Sequence, residues 1–153
     1  MKAVIISNSR LQGDYFEVVF TAPEIAEKAV AGQFVHIRID ERQDYILRRP
    51  FSIHSTDPVK GTVSVAYKVV GQGTRAMSSL APGYDFDVMG PLGKGFSTPD
   101  DDVVPVAVAG GYGSAALYLL SRVSKTKGVL LAGARSANDV ILTELGYFFP
   151  FFL

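Results

Sequence analysis

The hydrophobic pattern of this 153-residue chain changes its period close to residue 100, and that change constrains the fold more than any other feature. Before residue 90, short β-branched and aromatic runs are separated by turns that contain glycine and proline, which is typical of antiparallel strands. After residue 102, the apolar run VVPVAVAGG is followed by the helix-forming GSAALYLLSRVSK and by a second apolar run, GVLLAGAR. Strand, helix and strand in that order predict a parallel βαβ unit. We therefore expect a β plus α/β protein, with a small antiparallel barrel first and a parallel segment second.

The change of period coincides with the segment FSTPDDDVVP, which contains two prolines and three consecutive aspartates. Such a composition is typical of an interdomain linker. We therefore expect a first domain over residues 1–97 and a second over residues 103–153.

Alternation of side chains supports the strands expected in the first domain. Val35, Ile37 and Ile39 alternate with His36 and Arg38, so one face of that strand should be buried. The expected strands are residues 15–21, 34–39, 47–54, 62–70 and 85–89.

Composition excludes several classes of function. Fifteen basic residues balance fifteen acidic ones, so no net field favours nucleic acid as a partner. The absence of cysteine excludes thiolate zinc sites and any [2Fe-2S] ligands in this chain, and with His36 and His54 the only histidines no metal site is expected. The apolar stretches at both ends are too short for a secretory signal or a membrane span, so a cytoplasmic location is expected.

The segment LRRPFSIHS combines four residue types that suit a flavin nucleotide: Arg49, Pro50, Phe51 and Ser52. A guanidinium binds phosphate with two hydrogen bonds, an aromatic ring can lie on an isoalloxazine, and a hydroxyl can reach a ring nitrogen. Alternation would place Phe51 and Arg49 on one face and the other two on the opposite face. A proline inside a strand indicates an edge or a bulge, which would let all four reach one ligand. Phe51 can equally be an ordinary core residue.

A glycine turn, VVGQGT, precedes a short helical stretch over residues 75–80. Thr74 is placed as the N-cap of that helix, and Gly71 and Gly73 make the turn. Such a turn can simply connect a strand to a helix. Together with Arg49 upstream, however, it predicts an anion site.

A second glycine turn ends the first strand of the βαβ unit, with Gly111, Gly113 and Ala116 spaced as G-x-G-x-x-A. This context favours a dinucleotide site, with packing at a strand-to-helix turn as the alternative. The acid expected about twenty residues later is absent, because Gly133 and Arg135 occupy that region. The choice between NAD and NADP therefore stays open. The segment GPLGKGFS lacks Walker spacing and is interpreted as a tight turn that approaches a ligand or the second domain.

Taken in order, LRRPFSIHS, AYKVVGQGT, GPLGKGF and VAGGYGSAAL make the chain resemble the ferredoxin-reductase-like flavoproteins over nearly its whole length. The branch it looks most like is formed by the electron-transfer subunits of NAD-dependent dihydroorotate dehydrogenases. The resemblance implies an antiparallel Greek-key β-barrel that binds FAD, followed by a Rossmann-like segment that binds NAD(P)H as a diffusible partner. It also implies a catalytic dehydrogenase subunit as the partner, in pyrimidine biosynthesis.

The resemblance also implies roles for individual residues. Arg49 would bind the flavin diphosphate, Pro50 and Phe51 would shape the ring site, and Ser52 would be the catalytic residue near the redox-active nitrogen. The remaining implied contacts to FAD are Ala66, Tyr67, Lys68, Gly73 and Thr74. The implied contacts to the nicotinamide nucleotide are Gly110, Gly111 and Gly113.

Two departures from the family pattern leave alternatives open. In the resembled family the nucleotide domain has several more strands, followed by a cysteine cluster for a [2Fe-2S] centre. We therefore expect the nucleotide-binding segment of this chain to be C-terminally truncated. Ala116 also stands where many relatives have proline. The alternatives are a stand-alone NAD(P)H-dependent flavin or ferredoxin-type reductase, and a non-catalytic flavin-binding fragment. The apolar residues 147–153 are expected to cover exposed sheet, bind a partner or aggregate.

Overall fold

A computed structural model describes residues 1–39, 47–97, 100, 102–125, 127–136 and 139–141, and these ranges contain nine strands and three helices. The strands and helices expected from the sequence are among them, in the expected order. Residues 2–92 contain β1 (Lys2–Gln12), β2 (Tyr15–Thr21), α1 (Pro23–Lys28), β3 (Phe34–Arg38), β4 (Arg49–Ser52), β5 (Ser55–Asp57), β6 (Thr62–Lys68), α2 (Gln72–Ser78) and β7 (Asp85–Leu92). The remainder contains β8 (Val106–Gly110), a 3-10 turn (Gly111–Ser114), α3 (Ala115–Val123) and β9 (Val129–Gly133).

The first seven strands form one antiparallel sheet in the order β4-β3-β7-β1-β2-β6-β5. The sheet curls around its core, but β4 and β5 stand at its two ends, so it is barrel-like rather than closed. The predicted antiparallel barrel is confirmed in this open form. Because β4 is an edge strand, Pro50 removes no hydrogen bond from a central ladder.

The barrel core is built by the alternation that the sequence shows. Val35, Ile37 and Ile39 are at most 2% exposed, as expected from the buried face of β3. Phe20 meets Phe86 edge-to-face, with ring centroids 5.1 Å apart. Burying these side chains is the main contribution to the stability of the sheet.

The predicted βαβ unit is confirmed. β8 and β9 pair in parallel, with Ala107 opposite Leu130, and α3 places Ala115 and Leu117 in the same apolar cluster as these two residues. Two barrel residues, Tyr15 and Ala66, belong to the same apolar cluster as this unit. His54 reaches across as well, since its Nδ1 lies 3.1 Å from the Ala115 carbonyl, which can only accept, so that Nδ1 donates. Packed side chains therefore join the barrel to the βαβ unit.

Three elements lie outside the strands and helices expected from the pattern: β1, α1 and β5. β1 is polar in its second half, yet it pairs with β7 on one side and β2 on the other. The domain limits at residues 97 and 103 stay a prediction, because residues 98–99 and 101 lie outside the described ranges. The apolar residues 147–153 lie outside them too.

Within the described ranges, no helix has the length and apolar character needed to cross a bilayer. The same residues contain no cluster of three or more His, Asp or Glu side chains that could hold a metal ion.

Candidate functional site

A cavity of about 540 Å³ opens beside the edge strand β4, between β6 and the first turn of α2, and we call it the barrel cavity. All nine residues predicted to contact FAD line it. They are Arg49, Pro50, Phe51, Ser52, Ala66, Tyr67, Lys68, Gly73 and Thr74. Four consecutive residues of β4 border one cavity because the cavity lies along a free strand edge rather than on one face.

Arg49 and Gly73 are in direct contact inside the barrel cavity. A Cβ atom on Gly73 would overlap the Arg49 guanidinium, so the cation holds its present position only because residue 73 is a glycine. Arg49 is half-buried, and its Nη1 donates to the Leu47 carbonyl over 2.9 Å. The guanidinium is thereby held against the first turn of α2.

The prediction of Thr74 as the N-cap of α2 is wrong, because Gly71 is the N-cap and Thr74 is the third residue of the helix. The Thr74 hydroxyl instead accepts hydrogen bonds from the backbone N–H groups of Val70 (2.9 Å) and Gly71 (3.1 Å). A threonine can satisfy the start of a helix from either position. The first backbone hydrogen bond of the helix runs from the Arg75 N–H to the Gly71 carbonyl, so the N–H groups of residues 72–74 precede that ladder.

An aromatic wall closes the other side of the barrel cavity. Tyr67 stacks on Phe16 with ring centroids 5.8 Å apart and meets Phe51 edge-to-face at 5.9 Å. Tyr67 is 2% exposed, and this burial raises the pKa of its hydroxyl to about 12. Phe51 is a core residue and also lines the cavity, so the core interpretation is correct and its contact with a flavin ring stays a prediction.

A second cavity, of about 970 Å³, lies at the carboxyl ends of β8 and β9, and we call it the sheet-end cavity. Gly110 and Gly111 line it, and Gly111 has a φ of +52°, which favours glycine. Gly113, the third residue predicted to face a nicotinamide nucleotide, is not part of this lining. Ligands of open α/β sheets bind at this end of parallel strands, so the location agrees with the dinucleotide interpretation.

An acid that the sequence did not reveal borders the sheet-end cavity. Lys68 Nζ donates to Asp139 Oδ1 over 2.5 Å, and the Tyr15 hydroxyl donates to the same oxygen over 3.1 Å. The hydrogen bond from Lys68 lowers the pKa of Asp139, and the same bond raises the pKa of Lys68. Burial raises the pKa of Tyr15. A simple dinucleotide motif places its acid about twenty residues after the glycines, and Asp139 lies further along the chain. The spacing of that motif therefore does not predict Asp139.

The two cavities adjoin each other and share three wall residues. Lys68, Val70 and Tyr112 line both of them. Tyr112 is 62% exposed and lies in the 3-10 turn that follows β8. Sequence reasoning did not single out Tyr112, because it is the variable residue between the two glycines of the motif.

The segment GPLGKGFS lines neither the barrel cavity nor the sheet-end cavity. Of the two neighbours predicted for this turn, a ligand or the second domain, the structure shows the second, at the end of the segment. Gly93 adopts a φ of +82°, and a Cβ there would contact the Phe34 ring at 2.8 Å. A Cβ on Gly95 would overlap Val30. The turn therefore packs on the barrel itself, and only Phe96 and Ser97 at its end border the βαβ unit.

Comparison with known proteins confirms the fold and the resemblance. Residues 2–96 match the family described as the oxidoreductase FAD-binding domain. The electron transfer subunit of dihydroorotate dehydrogenase B (NAD(+)) from Desulforamulus reducens is 41% identical over 125 residues, which cover 80% of this chain and 48% of that protein. The subunit of the same name from Fusobacterium nucleatum is 32% identical, over 90% of this chain and 55% of that protein. The chain thus spans about half the length of the curated relatives it matches.

Solved structures agree with the sequence relatives. The structure of an NADH-dependent reduced ferredoxin-NADP oxidoreductase superposes with a TM-score of 0.82 at 28% identity, covering 92% of this chain and 51% of that one. Ferredoxin-NADP+ reductase from Plasmodium falciparum superposes with a TM-score of 0.75 at 20% identity, covering 96% and 64%. The second similarity shows the fold alone.

Proposed function

This chain belongs to the oxidoreductase FAD-binding domain family, and we propose that it binds FAD in the barrel cavity and passes electrons between that flavin and NAD(H). We further propose that it does so as the electron-transfer subunit of a dihydroorotate dehydrogenase, in pyrimidine biosynthesis. The observation that carries the proposal is the contact between Arg49 and Gly73, which places a cation and the start of a helix in one cavity.

The residues of the barrel cavity fit FAD on three physical grounds. A cavity of about 540 Å³ lies within the usual range for cofactor sites. Gly73 leaves a space beside the helix start that the Arg49 guanidinium fills, and cations with unpaired amides are a common diphosphate site. Phe51 and Tyr67 supply an apolar, aromatic wall for a flat ring.

FAD supplies the redox chemistry when bound, because a flavin accepts electrons as a pair and releases them singly. The chain binds and orients it. Arg49 would neutralise the diphosphate, while Gly73 and Thr74 would offer backbone N–H groups to it. Ser52, half-buried at the end of β4, would direct its hydroxyl at the redox-active edge of the ring. Pro50, Phe51, Ala66, Tyr67 and Lys68 would complete the cavity around the cofactor.

The sheet-end cavity is the proposed site of the nicotinamide nucleotide, with Gly110 and Gly111 in its lining as proposed contacts. Gly113, the third predicted contact, lies outside that lining, so its role stays a prediction. Because Lys68 and Tyr112 line both cavities, a nicotinamide nucleotide in one cavity would lie next to a flavin in the other. NAD(H) is the proposed form, since the relatives carry NAD(+) in their names. Arg135 lines the same cavity and would be the partner of an extra phosphate if NADP were used instead.

A catalytic dehydrogenase subunit is the proposed partner, because the relatives are named as electron transfer subunits. A cytoplasmic location belongs to the same proposal, since that is where the nicotinamide donor is available. A second candidate function is a ferredoxin-type reductase without that subunit, which the TM-score of 0.82 with the NADH-dependent ferredoxin-NADP oxidoreductase favours. Co-purification with a dihydroorotate-oxidising subunit supports the first function, and reproducible recovery of ferredoxin supports the second.

Flavin uptake tests the proposal directly. The chain is mixed with FAD, separated from free cofactor, and then titrated anaerobically with NADH while the flavin absorbance is followed. We expect the wild-type protein to be yellow. In the Arg49→Ala variant the dissociation constant for FAD should rise by about tenfold or more, because a charged hydrogen-bond partner is lost. Arg75→Ala is the matched control, since Arg75 lies on the same helix but outside the cavity lining. A wild-type chain that is colourless after incubation with excess FAD and removal of the free cofactor would contradict the proposal. If the chain binds FAD but NADH does not bleach the flavin, the chain is a flavin-binding fragment without reductase activity.

A further inference from the structure

The side chain of Asn8, on β1, uses its whole amide to join two other elements. Its Nδ2 donates to the carbonyls of Met77 (2.8 Å) and Leu80 (3.0 Å), at the end of α2. Its Oδ1 accepts from the Tyr67 hydroxyl on β6 over 3.1 Å. Only this orientation of the amide is consistent, because the two carbonyls can only accept.

The two elements that Asn8 joins form different walls of the barrel cavity. Tyr67 belongs to the aromatic wall, whereas α2 carries Gly73 at its first turn. A helix of seven residues has little stability of its own, and its last carbonyls need donors from elsewhere. Asn8 donates to one carbonyl inside the helix, that of Met77, and to one just beyond its end, that of Leu80, and these two bonds tie the end of the helix to the sheet.

Tyr67 is equally constrained on its side of the network. Its ring is held between Phe16 and Phe51, and its hydroxyl has Asn8 as acceptor. Burial raises the pKa of Tyr67 to about 12, so the hydroxyl stays protonated and continues to donate at neutral pH. The connection from the aromatic wall through Asn8 to α2 is therefore present at neutral pH.

We propose that Asn8 is a positioning residue for the flavin, which sets the distance between the first turn of α2 and the Tyr67 wall. The inference rests on the proposed function, because it assigns the diphosphate to α2 and the ring to the wall. A ligand that spans both walls depends on that distance. A ligand that uses the aromatic wall alone does not.

Asn8→Asp separates the two connections of the network. The carboxylate can still accept from Tyr67, but it presents an oxygen instead of two donors to the Met77 and Leu80 carbonyls. We expect the dissociation constant for FAD to rise about tenfold or more, because the diphosphate turn is displaced. The dissociation constant for riboflavin, which has no phosphate, should change by less than about threefold. A role in global stability alone would change both affinities or neither.

Gln33→Glu is the matched control, because Gln33 also donates from its amide to a carbonyl, that of Gly93 over 2.9 Å, away from the cavity. We expect it to leave both affinities unchanged. Asn8→Ala gives the same selective loss if Asn8→Asp does not fold. Equal weakening of FAD and riboflavin, or none, overturns the inference. Failure of the wild-type chain to bind FAD defeats the proposed function first and this inference with it.

Discussion

The guanidinium of Arg49 occupies the space in which a side chain on Gly73 would have to stand. Arg49 comes from the edge strand β4 and Gly73 from the first turn of α2, so the contact exists only once β4 and α2 lie on the same side of the barrel. It explains why a glycine at this point in a helix is useful, although glycine weakens helices elsewhere.

Gly73→Ala tests that contact. The methyl group should push the guanidinium out of the cavity, while alanine is the better helix former by about 1 kcal/mol, so stability should not fall for backbone reasons. We expect the affinity for FAD to drop about tenfold or more and the free energy of unfolding to change by less than about 1 kcal/mol. Calorimetric FAD titration and urea unfolding measure the two quantities. Gly113→Ala, where a Cβ meets nothing within 4 Å, is the control, and wild-type affinity in Gly73→Ala would contradict the assignment.

Tyr112 offers a test of the shared wall between the two cavities. Its ring lines both and is largely exposed, so its removal should widen the passage through which a nicotinamide meets the flavin. We expect Tyr112→Ala to slow anaerobic flavin bleaching by NADH about tenfold, because orientation of the reactants is lost, with little change in FAD affinity. Stopped-flow absorbance measures the rate. Tyr112→Phe keeps the ring and should keep the rate; equal loss in both variants would point to the hydroxyl instead.

The sequence predicts those parts of the fold whose signals are local. β2 has the predicted limits because a β-branched and aromatic run is bounded by turn residues on both sides. β1 is not predicted from the pattern because its polar second half forms a strand by pairing with β2, while β7 pairs only with its first residues. Pairing between strands that are far apart in the chain does not produce a periodic hydrophobic pattern in the local sequence, so such a strand is not predicted from that pattern.

The same distinction applies to the candidate site. Arg49 and Gly73 belong to short motifs that predict an anion site from the sequence alone, and the two residues are in contact in the structure. Asn8, Tyr112 and Asp139 acquire their roles from elements that meet only in the folded chain. The N-cap prediction for Thr74 is wrong for a local reason. A threonine near two glycines can accept hydrogen bonds at a helix start either as the N-cap or as the third helical residue.

Leu130 tests the division of the chain into two domains. It is 1% exposed in the apolar cluster of the βαβ unit, so Leu130→Ala should cost about 2–5 kcal/mol. If the division near residue 100 is right, amide exchange should accelerate in β8 and β9 while β3 keeps its protection. Hydrogen-exchange mass spectrometry makes the comparison. Leu131→Ala is the control, because Leu131 is only half-buried and should cost less; uniform acceleration across both parts would contradict the division.

The ion pair between Lys68 and Asp139 predicts a pH window of stability. The hydrogen bond from Lys68 lowers the pKa of Asp139, so the pair's stabilisation is complete above the ordinary aspartate value of 3.8 and is lost as the pH falls through the lowered value. The pKa of Lys68 is raised, so its share is complete below 10.5 and is lost as the pH rises through the raised value.

Asp139→Asn should therefore lower the free energy of unfolding between those limits. Its difference from the wild type should shrink as the pH falls below 3.8 and disappear below the lowered pKa of Asp139, where neither chain carries the charge. Urea unfolding at a series of pH values measures the difference. Asp85→Asn is the control, because its ion pair with Lys2 is far more exposed and should contribute less. A difference that stays constant from neutral to strongly acidic pH would show that Asp139 acts through its hydrogen bonds to Tyr15 and Ser136 rather than through its charge.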